Sequence, residues 1–312
     1  MYIEQGYKGN AALWIYLILP LGFIGLMVFN YISIQYSPVS TDQIMQDLIA
    51  ELGSNVVLVL LLGPLAAAFF VVLGWVKLVH SQSIRSLTTS RQSIDWKRIL
   101  FAFVLWSIIT VVLIGTDIFL SPDSYAFNFN LIPFLILAII AILLIPLQTS
   151  FEEYMFRGYM MQGIGLMAKN RWVPLIVTSV LFGLMHLGNP EVEKLGYGVM
   201  VYYIGTGFFL GILTLMDEGL ELALGFHAAN NLIGALLLTS DWTAFQTHSI
   251  YKDISEPTLG WDIFVPVLVI YPLLLLVFSK KYGWKNWKDR LTGKVIAEAE
   301  MAKLELNDTQ LS

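Results

Sequence analysis

The chain is a succession of long apolar blocks, and few folds accept that pattern. Residues 11–29, 56–79, 98–118, 131–149, 171–187, 197–216, 220–239 and 262–279 run almost free of charge. Each is about long enough, as a helix, to cross the roughly 30 Å hydrocarbon core of a bilayer. In lipid every backbone polar group must be satisfied within a helix or a closed barrel. Barrel strands alternate apolar and polar side chains, and these blocks do not alternate. The expected fold is therefore all-α, a polytopic transmembrane helical bundle of about eight transmembrane helices. Only 13% of the 312 residues are charged, against about 25% in soluble domains. No soluble stretch is long enough for a second domain. Three regions are expected along one membrane unit: N-terminal transmembrane helices over 1–130, a core over 131–240, and a last helix with a basic tail over 241–312.

The loops carry charge unevenly. Loop 30–55 has Asp42, Asp47 and Glu51 and no Lys or Arg, whereas loop 80–97 has Arg85, Arg91 and Lys97. Loop 119–130 has only Asp123, the turn near 169–171 has Lys169 and Arg171, and loop 240–261 is mostly acidic. Lys280, Lys281, Lys285, Lys288, Arg290 and Lys294 follow the last block. The positive-inside rule then places both termini in the cytoplasm, and the expected location is the plasma membrane of a prokaryote. Trp284 and Trp287 among those lysines suit an interfacial anchor. Membrane lipids, and no nucleic acid, are the expected surroundings. Residues 11–29 are read as a retained span rather than a signal peptide: the stretch is long, Glu4 and Lys8 flank it, and no A-x-A site follows. Residues 295–306 read as a short surface helix. The chain has no cysteine, which removes disulfides, thiolate catalysis, thiolate metal sites and palmitoylation.

Against this background a few polar residues stand out. An ionised side chain at mid-membrane costs about 2.5–3.5 kcal/mol on insertion scales, so such residues are expected to be paired and to face the interior. In "TSFEEYMFRGYM", Glu153 and Arg157 are four apart and share a helix face. Glu152 is turned about 100° away, so one carboxylate looks structural and the other is left free. Gly158 lets a neighbouring helix come close. The competing reading is an amphipathic surface helix with all three charges solvated. Pro146 is a candidate break before the motif. His186 ends a later block, with Phe182 one turn before it, and His227 and Asn231 share a face. Taken alone, either histidine fits a packing role. His80 and His248 fall in expected loops and have no partner in sequence. Gly207 and Gly211 form a small-xxx-small face. Glu152 lies about 25 Å of helix before the turn at 169–171 and His186 a similar distance after it, which puts them at matching depth.

Together these groups supply a general base, a second proton carrier and donors for a developing oxyanion, the parts that amide hydrolysis needs. No G-x-S-G, G-x-G-D or H-E-x-x-H stretch is present.

The order Glu152-Glu153-x-x-x-Arg157, Phe182-x-x-x-His186 and His227-x-x-x-Asn231, on successive apolar helices, resembles the CPBP family. These are the CAAX prenyl protease and bacteriocin-processing intramembrane proteases, also called the Abi or type II CAAX endopeptidase family. The resemblance covers about residues 130–240. It implies an intramembrane endopeptidase acting on a membrane-embedded or membrane-associated protein or peptide. It implies that Glu152 and His186 activate a water and that His227 and Asn231 hold the oxyanion; the helical spacing assigns Glu153 and Arg157 to support. The acidic pair Asp217–Glu218 departs from the family pattern and is expected to bear on cavity access or substrate choice. No cofactor and no metal are expected, because an amide oxygen is a poor zinc ligand; a zinc site of His186, His227 and Glu152 is the alternative. The other readings are a proton-coupled transporter with Glu152, His186 and His227 as relay, and a non-catalytic immunity or scaffold protein.

Overall fold

The computed structural model of the chain describes residues 1–10 and 12–301. Every apolar block is helical. In chain order the helices are α1 (Leu13–Gln35), α2 (Thr41–Leu52), α3 (Ser54–Leu78), α4 (Ile84–Thr88), α5 (Trp96–Leu120) and α6 (Leu131–Ala168). They continue with α7 (Trp172–Gly188), α8 (Pro190–Leu195), α9 (Tyr197–Asp217), α10 (Glu221–Leu237), α11 (Trp261–Tyr282) and α12 (Trp287–Thr292). Six of them, α1, α3, α5, α6, α9 and α11, are long and apolar enough to cross a membrane. The other two expected spans are α7 and α10, which are shorter. Phe29, Phe70, Val112, Ile139 and Leu276 stand exposed along these helices. In water they would form apolar patches far beyond those of a soluble monomer. The protein is an integral membrane protein, an all-α helical bundle.

Several expectations need correction. Loop 30–55 contains α2, whose first turn is closed by Ser40 Oγ accepting from Gln43 N at 3.1 Å. The helix does not break at Pro146: α6 runs through it. Proline is tolerated inside a membrane helix, and one turn on, Thr149 Oγ1 makes the ordinary back-bond to Ile145 O at 3.0 Å. Within α6, residues Tyr154–Met160 form a π-turn. Three short strands, β1 (Tyr125–Phe127), β2 (Leu238–Ser240) and β3 (Tyr251–Asp253), pair in the order β1-β3-β2 and tie two loops together. The expected surface tail is partly inside, since Val295 and Met301 are buried and Val295 N bonds Lys169 O at 3.1 Å. Residues 302–306 of that tail lie outside the described residues.

The bundle has two different ends. At the terminal end, Glu4 pairs with Arg171 at 2.6 Å, Thr89 bridges Gly219, and Asn170 bridges Lys294. At the far end, α2 meets α8 through Asp42–Lys194 at 2.9 Å and Thr41 N to Glu193 at 3.2 Å, and the small sheet lies there too. Lys194 and Lys252 are the far-end cations among the described residues; the remainder, Arg157 apart, gather toward the terminal end.

Small residues set the packing between. A Cβ on Gly207 of α9 would collide with Ser179 O of α7, and one on Gly225 of α10 would collide with Ile99 O of α5. α3 lies against α6. These close crossings bring α6, α7, α9 and α10 around one buried point.

Candidate active site

That point is built outward from α6. Glu153 and Arg157 are fully buried and pair at 3.0 Å, so the solvated surface-helix reading of this segment falls. The other guanidinium arm, Nη2, donates to Gly207 O at 3.0 Å, and the group lies 4.1 Å from the Phe182 ring centroid. A buried cation needs such partners on several sides, and here they come from α6, α7 and α9.

His227 of α10 stands between the two glutamates. Its Nδ1 is 2.8 Å from Glu153 Oε1 and its Nε2 is 3.5 Å from Glu152 Oε2. Glu152 is 4% exposed and His227 5%. Gln148, one turn before Glu152, donates from Nε2 to Glu152 Oε1 at 2.5 Å and accepts from Asn231 Nδ2 at 3.4 Å. Asn231 in turn accepts from Asn230 Nδ2 at 3.1 Å, and Asn230 Oδ1 accepts from Trp106 Nε1 of α5 at 3.1 Å. The cluster is thus one connected chain of polar contacts from α5 to α9.

His186 stands apart. It lies across Phe182, whose ring is 5.2 Å from His186 and 5.7 Å from His227. Its Nδ1 is tied to Phe182 O at 2.9 Å, leaving Nε2 for other contacts, and its ring stacks on Tyr203 at 4.2 Å. The direct histidine partner of Glu152 is therefore His227.

Sequence reasoning missed Gln148, Asn230, Trp106 and Tyr203. Gln148 carried a signal, a polar amide one turn from Glu152 inside an apolar run; Tyr203 carried none. The acidic pair belongs elsewhere. Asp217 pairs with Arg91 at 2.9 Å and with Arg98, and Glu218 pairs with Arg290. Asp217 is ten residues, about 15 Å of helix, from Gly207. The pair lies at the terminal end, where Asp217 and Glu218 line a cavity of about 440 Å³.

Both ring nitrogens of His227 face glutamates, and the Phe182 ring touches both His227 and His186. Among the described residues no group of three or more His, Asp and Glu is placed to hold a metal ion.

Residues 128–233 match the family described as type II CAAX prenyl endopeptidase Rce1-like. This segment is similar to that family. The match bears out the resemblance read from the three motifs, all of which fall inside it. Over 283 residues the chain is 27% identical to the uncharacterized protein YyaK of Bacillus subtilis (strain 168), covering 88% of this chain and 95% of the relative. No solved structure matches the chain. The matched segment holds every member of the polar chain except Trp106, which α5 contributes from outside it.

Proposed function

We propose that the chain is an intramembrane endopeptidase that hydrolyses a peptide bond of a membrane-associated protein or peptide, with water as the nucleophile. The observation that carries this reading is His227 held between Glu152 and Glu153, with His186 across Phe182. The Rce1-like match supports the same class. Glu152 is the general base, since the neighbouring arginine is already engaged by Glu153. It takes a proton as the water oxygen bonds to the carbonyl carbon. The proton taken up by Glu152 passes to the leaving amine as the C–N bond breaks, and His186, across Phe182, is the second imidazole of the site. His227 and Asn231 stabilise the tetrahedral oxyanion. Glu153 and Arg157 hold His227 and α9 in position.

Two experiments test this. Membrane proteomes of cells carrying the wild type or Glu152→Ala should differ by at least one peptide whose cleavage disappears, and purified protein in detergent should reproduce that cut. Identical peptide patterns would leave the transporter and scaffold readings standing. The proposed reaction needs no metal: stoichiometric zinc in active protein, lost together with activity under chelation, would reverse that part.

A further inference from the structure

The polar chain at the site has a direction. Trp106 Nε1 donates to Asn230 Oδ1 at 3.1 Å, and Asn230 Nδ2 donates to Asn231 Oδ1 at 3.1 Å. Asn231 Nδ2 donates to Gln148 Oε1 at 3.4 Å, and Gln148 Nε2 donates to Glu152 Oε1 at 2.5 Å. Each amide accepts on its oxygen and donates from its nitrogen. A lone amide can be turned end for end, because it offers a donor and an acceptor at similar places. The two ends of this chain cannot be turned. An indole N–H only donates, and an ionised carboxylate only accepts. With a donor at one end and an acceptor at the other, one arrangement satisfies every amide between them.

Trp106 is a firm anchor for that direction. It is buried, and its ring lies 4.5 Å from Phe226 and 6.0 Å from Tyr271. Ile99, Ala102 and Trp106 recur at spacings of three and four, which puts them on one face of α5. A Cβ on Gly225 of α10 would strike Ile99 O and meet the Ala102 methyl. The two helices are thus in close contact along this face, and the packed indole keeps its N–H on Asn230.

The direction decides what the reacting end presents. Asn230 occupies Asn231 Oδ1, so Asn231 turns its nitrogen inward. One N–H of that nitrogen goes to Gln148, and the second is left to donate. Gln148 occupies Glu152 Oε1, which leaves Oε2, the oxygen 3.5 Å from His227 Nε2, to accept a proton. Turned the other way, Gln148 would aim its oxygen at the carboxylate, acceptor against acceptor.

We propose that Trp106 and Gln148 are positioning residues of the site. Trp106 sets the direction of the amide relay, and Gln148 delivers it to Glu152, so that Asn231 offers an N–H and Glu152 offers Oε2. The effect on turnover rests on the endopeptidase reading; the relay itself does not.

Separating the indole N–H from the indole ring decides this. In the whole chain, Trp106 is replaced by Phe and, by codon suppression, by benzothienylalanine, which has the shape of the indole and no N–H. Gln148→Met keeps the length of the side chain and loses the amide. All three should lower turnover of the peptide found by the Glu152→Ala comparison by about tenfold or more, with KM little changed. The melting losses of Trp106→Phe and Gln148→Met should be less than additive although two asparagines separate them, because residues of one network couple. Tyr2 supplies the control. It is buried with Ile3, Glu4 and Gln5 at the terminal end, and its OH reaches Leu87 O at 2.7 Å and Arg157 O at 3.1 Å. Tyr2→Phe and Gln148→Met should therefore add. Benzothienylalanine that turns over like the wild type would reduce Trp106 to packing and overturn the proposal. Additive losses for Trp106→Phe and Gln148→Met would overturn the relay. If Trp106→Phe does not fold, benzothienylalanine takes its place in the melting cycle. A wild type that cleaves nothing would sink the endopeptidase reading, and the melting cycle would still decide the relay.

Discussion

Glu152 and Glu153 are neighbours in the chain, yet only Glu153 meets a full cation. The two should fail differently. Glu152→Gln keeps the amide of Gln148 and the imidazole of His227 within reach, so it should melt like the wild type and cleave nothing. Glu153→Gln leaves Arg157 as a buried cation without its counter-charge, and breaking a buried pair costs about 3–5 kcal/mol. Glu153→Gln and Arg157→Ala should therefore lower the melting temperature or yield along with activity. An active Glu152→Gln beside a stable but dead Glu153→Gln would swap the two assignments. His80 has a consequence of its own. It lies outside the spans, its Nε2 is 2.8 Å from Tyr159 OH, and its ring packs 4.3 Å from Tyr16. Burial pushes its pKa below the usual 6.5. The unfolded chain then binds a proton before the folded one does, so this contribution is complete above about pH 6.5 and is lost as pH falls toward the folded value. The stability gap between the wild type and His80→Phe should narrow from pH 7.5 to pH 5 in thermal melts; a constant gap contradicts this. The Glu153–Arg157 pair was legible from spacing alone. The tyrosine beside His80 was not, because it lies 79 residues away in the chain and no local pattern reports such a contact.

Between helices, the crossing of α7 and α9 depends on Gly207. A methyl group there meets backbone at Ser179 O, which cannot rotate away, whereas a Cβ at Gly234 has nothing within 4 Å. Overpacking of this kind costs about 1–3 kcal/mol. Gly207→Ala should lower the melting temperature and disturb the Arg157 bond to Gly207 O, and Gly234→Ala should do neither. Equal melting of the two variants would show that α9 can shift freely. The helices themselves were legible in the sequence, because a run of apolar residues long enough to cross lipid has few other conformations open to it. Their details were less so. The π-turn at Tyr154–Met160 depends on what α7 and α9 press against it, and π-bulges have no composition of their own. The tail near Val295 is held by Lys169 O, from a distant turn.

For the whole molecule, the separation of charge between the two ends makes a topology prediction. Reporters fused at Ser90 and at the C-terminus should both read cytoplasmic, and one at Asp241 should read external. A cytoplasmic signal at Asp241, or an external one at Ser90, breaks the assignment. The burial of Tyr2 to Gln5 has a consequence for how such a chain is made. Tyr2 bonds to groups 85 and 155 residues further on, and the partner of Glu4 is 167 residues further on. Residues 2–5 leave the ribosome well before their partners and are thus among the last to reach their places. They must wait in a non-native setting until the motif helix and the turn after it have been synthesised, and only then can they lock the bundle from below.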